Sequence, residues 1–116
     1  MSIQRLQVAT RYSEAAIYQG VVYLAGQVPN DSSLDIQGQT AEVLAMIDTL
    51  LAQAGSDKNH LLMVTIYLAD MADYAAMNVV WDAWLNHGFA PPRACVQAAL
   101  ANPDWKIEIV VTAAQT

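Results

Sequence analysis

Three side chains in the stretch Pro91 to Ile109, PPRACVQAALANPDWKIEI, are able to do chemistry: the guanidinium of Arg93, the thiol of Cys95 and the carboxylate of Glu108. Arg93 carries a planar fork of N–H donors that matches a carboxylate through two parallel hydrogen bonds and fixes the orientation of the atoms beside it. The chain has only five Lys plus Arg. A guanidinium among mostly apolar neighbours needs an anionic partner, which the sequence leaves open as Glu108, a neighbouring subunit or a ligand carboxylate. Glu108 is a candidate acid or base that orients a water and moves its proton, set against a solvated carboxylate beside Lys106. Cys95 reads as a small buried hydrophobe, because no motif places His60 or His87 beside it to make a nucleophile.

Other chemistry lacks its parts. There is no HxxxH, CxxC or carboxylate cluster with metal-ligand spacing, so no metal is expected, and His87 is explained by the end of a helix. The chain has no GxSxG, GxGxxG or GxxxxGKS, which removes the nucleophile-elbow, dinucleotide and P-loop readings.

The elements that must carry these residues follow from periodicity. The flanks of Ala101-Asn102-Pro103-Asp104 are apolar and partly β-branched around strong turn chemistry, which predicts two strands folded into a hairpin. Arg93, Cys95 and Gln97 share one face of the first strand, and Lys106, Glu108, Val110 and Thr112 one face of the second. Such a hairpin puts Glu108 opposite about Gln97, roughly 13 Å along the strand from Arg93, unless a different register or a bulge shortens it. The two residues would otherwise face one cleft from its two ends.

Upstream, Ile3 to Thr10 alternates as a short strand, and Gln19-Gly20 is a tight turn between strands at Ala15 to Tyr18 and Val21 to Ala25. Gly26 to Leu34 reads as a loop. Val43, Ile47, Leu50, Leu51 and Ala54 recur at three- and four-residue steps, which predicts a helix over Ile36 to Ala54 stopped by Gly55. Leu61 to Leu68 is apolar on both parities, a strand covered on both faces. Asp70 and Asp73 suit the start of a second helix ending near Asn86-His87-Gly88, whose stripe Tyr74, Met77, Trp81, Trp84 and Leu85 reads as core. The order βββαβαββ makes an α+β domain with one sheet of about six strands and two helices on one face.

The 116 residues make one domain, which buries about 65% of its unfolded surface. A content of 55% hydrophobic and 14% charged residues leaves apolar surface after one small core is filled, and the uncovered sheet face is expected to meet other copies of the chain. A net charge of -6 opposes nucleic-acid binding. The longest apolar run is too short to span a bilayer and the N-terminus lacks a signal-peptide h-region, so the expected location is cytoplasmic, with one cysteine agreeing with a reducing compartment.

Pro91-Pro92-Arg93-Ala94-Cys95-Val96, followed by Ile107-Glu108-Ile109, resembles the C-terminal signature of the Rid (YjgF/RidA-type) family of enamine/imine deaminases, and the match extends over nearly the whole chain. The resemblance implies a chorismate mutase-like fold, a homotrimer and no cofactor. It also implies a site in which Arg93 and the Cys95 main chain hold a substrate carboxylate, Glu108 serves the reaction, and Tyr12, Gly26 and Asn78 line the cleft. Tyr23-Leu24-Ala25-Gly26-Gln27 departs from the family where many members have serine at the Ala25 position. Together with a short loop before Arg93, this points to the YoaB-like subgroup. The expected activity is hydrolysis of reactive 2-imino or enamine acids to 2-oxo acids and ammonia. The alternatives are a non-catalytic trimeric binder of small carboxylates such as 2-oxo acids, and an Arg93–Glu108 pair that only joins subunits.

Overall fold

The computed structural model describes residues 2–116. Its strands are β1 (Gln4–Val8), β2 (Ser13–Tyr18), β3 (Val21–Leu24), β4 (Leu61–Leu68), β5 (Arg93–Gln97) and β6 (Ile107–Ala114), with helices α1 (Ile36–Gln53) and α2 (Tyr74–Trp84). The strands form one mixed six-stranded sheet in the order β1-β2-β3-β6-β4-β5. The expected α+β architecture is therefore the observed one.

Local chemistry explains most boundaries. Gln19 and Gly20 both have positive φ, the geometry that closes a two-residue hairpin, and Tyr18 faces Val21 across it. Asp35 caps α1 by accepting from the Gly38 N–H at 2.8 Å. Gly55, at φ +76, ends the helix in the conformation an L residue avoids. Buried positions Ile36, Gln39, Thr40, Val43, Leu44, Ile47, Leu50 and Leu51 follow the helical period and face the sheet and α2. The second helix is shorter than expected: Met71–Asp73 form a 3-10 turn capped by Asp70, and α2 gives way to extended backbone at Leu85.

The C-terminal strands do not form the expected hairpin. β4 lies between them, parallel to β5 and antiparallel to β6. The turn chemistry is real: Asp104 N–H donates to Asn102 Oδ1 at 2.9 Å. It turns the chain within a longer connection that carries β6 past β4. β4, α2 and β5 make a parallel crossover unit. β4 takes a central place because it is the long apolar strand able to pair on both edges, while five-residue β5 carries Arg93 and Gln97 and suits the rim.

One sheet face is sealed by the helices. On β6, Ile107, Ile109, Val111 and Ala113 are buried, and Glu108, Val110, Thr112 and Ala114 point the other way, half exposed. Within this chain β4 is covered on one face only: Val64, Ile66 and Leu68 are buried, and Met63 is exposed on the other side. A bulge between Leu61 and Met63 turns Leu61 inward, off the parity it would share with Met63 and Tyr67. The open face also carries Tyr23, 51% exposed, and Val96. Soluble monomers seldom leave such a surface bare.

Candidate functional site

Arg93 begins the edge strand and is aligned with buried Val64, so its side chain lies on the helix-covered face. There α2 presents Tyr74, Asn78 and Trp81, which share one side of the helix at steps of four and three. Arg93 Nη1 donates to Asn78 Oδ1 at 2.8 Å and Nη2 to the Tyr74 hydroxyl at 3.1 Å. Its Cζ lies 5.3 Å from the Trp81 ring centroid and 5.7 Å from that of Tyr74, within cation–π range.

These partners orient the charge without neutralising it. Among the described residues the one ion pair joins His60 to Asp57 at 2.8 Å, so no carboxylate compensates Arg93. Two of its five N–H donors are engaged, and the other three have no protein partner among those residues. The parallel ladder adds a donor. Val64 N–H donates to Pro92 O at 3.0 Å and Ala98 N–H to Leu68 O at 3.0 Å, which fixes the phase of β5. The main-chain groups of Arg93, Cys95 and Gln97 consequently point away from β4, outward from the open sheet edge. The Cys95 N–H is thus free of a ladder partner, two residues along the strand from Arg93. Burial pushes the Cys95 thiol up, an effect that the nearby Arg93 charge only partly opposes, which suits a space-filling side chain better than a thiolate.

Glu108 is at a different corner. It pairs across the ladder with Tyr67 and lies on the open face. Its carboxylate covers Gly26: a Cβ there would overlap Oε2 and lie 2.9 Å from Cδ, so the carboxylate can keep this position only over a glycine. Gln27 and Ile109 exchange both main-chain hydrogen bonds, at 2.9 and 3.0 Å. Tyr12, 59% exposed, precedes β2 at the same end of the sheet, held by the Ala9 N–H bond to its carbonyl. The chain entering β6 is anchored by Gln39, which is fully buried. Its Nε2 donates to Ser32, Leu34 and Asp104 carbonyls and its Oε1 accepts from Lys106 N–H at 2.8 Å.

The six sequence-derived residues therefore form two groups: Arg93, Asn78 and Cys95 in one, Glu108, Gly26 and Tyr12 in the other. Arg93 and Glu108 are three residues apart along the ladder and two strands across, about 14 Å at ordinary strand spacings, and on opposite faces. Neither the hairpin register nor a single-chain cleft between them holds. The helical stripe predicts a core position for Tyr74. It is instead 41% exposed and bonded to Arg93, while Met77 and Trp81 of that stripe are buried. The steps of four and three linking Tyr74 to Asn78 and Trp81 were the available signal. A separate cleft of about 210 Å³ is lined by Gln7, Glu14, Gln27, Met46, Thr49 and Leu50. It includes neither corner, and the uncompensated cation is the stronger pointer to chemistry.

The fold is an α+β domain with two helices on one face of a mixed sheet, and comparison with known proteins gives its family. The family described as Endoribonuclease L-PSP matches residues 2–115. A RutC family protein of Haemophilus ducreyi is 55% identical over 112 residues, covering 97% of this chain and 96% of the relative. The RutC family protein YoaB of Escherichia coli is 46% identical over 114 residues, covering 98% and 99%. A solved YjgF family member from Neisseria meningitidis superposes with a TM-score of 0.97 at 50% identity, covering 100% of this chain and 97% of that one. The chain belongs to this L-PSP/YjgF (Rid) family, and within it to the YoaB-like members. Among the described residues, no helix is long and apolar enough to cross a membrane.

Proposed function

We propose that the protein hydrolyses reactive 2-imino and enamine acids, such as 2-aminoacrylate and its imine tautomer, to 2-oxo acids and ammonia. The site is completed in a homotrimer by the Arg93 corner of one copy and the Glu108 corner of its neighbour. The observation that carries this reading is Arg93, a guanidinium aimed by neutral groups with three donors to spare, on a strand whose Cys95 N–H is also free of a ladder partner. That arrangement suits a small monocarboxylate. The opposite-face placement of Glu108 supports a second copy as its source, and the bare apolar face supplies a surface for it.

An enamine substrate first takes a proton at C3, or an imine substrate one at nitrogen, to become the iminium ion. Glu108 orients a water and accepts its proton as the oxygen bonds to C2, and the C=N electron pair moves to the positive nitrogen to give a carbinolamine. Glu108 then gives its proton to the carbinolamine nitrogen as the C2–N bond breaks, and the hydroxyl releases its own proton to solvent to leave the oxo group. Water and imine become oxo acid and ammonia, with no cofactor. Because the uncatalysed reaction is already fast, modest electrostatic help suffices.

A second reading, binding of 2-oxo acids without turnover, is favoured by one observation: a single chain holds the anion cradle complete but keeps Glu108 on its other face. The family's endoribonuclease name is less well supported by a chain of net charge -6 with one uncompensated cation at the site. The test generates 2-aminoacrylate in situ with a dehydratase and follows its loss. The protein accelerates the loss and Arg93→Ala abolishes the acceleration; a fully active Arg93→Ala removes the carboxylate clamp, and calorimetric binding without acceleration selects the binder.

A further inference from the structure

We propose that the Tyr74 hydroxyl contacts the ligand directly, donating a hydrogen bond to the heteroatom on C2, the imine nitrogen or the oxo oxygen, and so separates 2-imino and 2-oxo acids from plain carboxylates. The inference rests on the carboxylate-binding reading of Arg93 given above. Tyr74 O accepts from Arg93 Nη2 at 3.1 Å. Its own proton therefore points elsewhere, and no protein acceptor receives it among the described residues. The side chain is 41% exposed, so this donor faces open space beside the guanidinium. A hydroxyl that accepts from a cation is polarised and becomes the stronger donor.

Geometry selects the C2 heteroatom over the carboxylate. The two N–H bonds of Nη2 diverge by about 120°, so a carboxylate oxygen accepting the second one lies about 5 Å from the Tyr74 oxygen, too far for a direct bond. In a planar 2-oxo or 2-imino acid the C2 heteroatom lies roughly 2.7 Å from the nearer carboxylate oxygen, by ordinary bond lengths and angles. A hydroxyl hydrogen bond spans another ~2.7 Å. One heteroatom thus bridges the gap between the clamped carboxylate and the tyrosine.

Tyr74→Phe tests this, because phenylalanine keeps the ring over Arg93 and removes only the hydroxyl. Calorimetry on the intact assembly compares pyruvate with propanoate, which lacks the C2 oxygen. The parent binds pyruvate more tightly, and Tyr74→Phe loses roughly fivefold to tenfold for pyruvate with propanoate unchanged, at unaltered melting temperature and oligomeric state. Equal losses for both ligands would mean that Tyr74 only positions Arg93, and no loss for either would remove it from the site; each overturns the inference while leaving the Arg93 clamp intact. A parent that binds neither ligand overturns the clamp itself, and this contact with it.

Discussion

Replacing Gly26 with alanine separates ligand binding from turnover. A Cβ at Gly26 overlaps Glu108 Oε2 and lies 2.9 Å from Cδ and 3.2 Å from Cγ. Ordinary carbon contacts are about 3.5–4.0 Å, so the carboxyl carbon must retreat by about 0.6 Å or more, and the oxygen further. Glu108 is half exposed on the open face, so its side chain can swing aside without unfolding the sheet. A group moved by about 1 Å from its working position loses on the order of 100-fold in rate. Gly26→Ala is therefore expected to lower kcat for imine hydrolysis by roughly 10- to 100-fold, with pyruvate affinity within about threefold, since the Arg93, Asn78 and Tyr74 cradle is untouched. The assay is dehydratase-coupled loss of 2-aminoacrylate, with calorimetry on the same preparation. Parent-like kcat in a folded Gly26→Ala protein would show that the position of Glu108 is not used in the reaction.

Further substitutions test the framework around the two corners. Gln39→Leu strands the Lys106 N–H and three carbonyls, and should destabilise by about 2–4 kcal/mol in urea unfolding. Ile66→Ala, at a position with no exposed surface in the core, should lower stability by about 2–5 kcal/mol. Cys95→Ser should retain turnover within about threefold, because the expected contact is the main-chain N–H; complete loss would restore the thiol to the reaction. His60 Nδ1 and the Asn59 N–H hold the Asp57 carboxyl below its usual range. A depressed carboxyl adds stability above its unfolded value that is lost as pH falls through the folded one. Asp57→Ala should flatten that acid limb of the melting curve and leave the neutral-pH limb parallel to the parent.

Local chemistry was legible in the sequence, and long-range order was legible only in part. Gln19-Gly20 and Gly55 specify their turns because a positive φ is a property of one or two residues. The buried side of α1 follows from its own period. The shared face of Arg93, Cys95 and Gln97 is equally local, since strand alternation needs no partner. Pairing is different: the Asn102 turn reverses the chain whether or not the flanking strands are neighbours, so it could not reveal that β4 enters between them. The separation of Arg93 and Glu108 onto two faces depends on that insertion. Tyr74 was missed because a tyrosine on an apolar stripe looks the same from sequence whether its hydroxyl meets solvent or a guanidinium.

In the proposed assembly Arg93 of one copy and Glu108 of another make one site. Mixing two disabled chains tests it most directly. Arg93→Ala and Glu108→Gln proteins, each inactive alone, are unfolded, combined in equal amounts and refolded together, and imine hydrolysis is measured against each variant refolded separately. Random assembly pairs an intact Arg93 with a neighbour's intact Glu108 at about a quarter of the interfaces, so about a quarter of parent activity should return. A mixture as inactive as its components, with mixed oligomers demonstrably formed, would contradict the account.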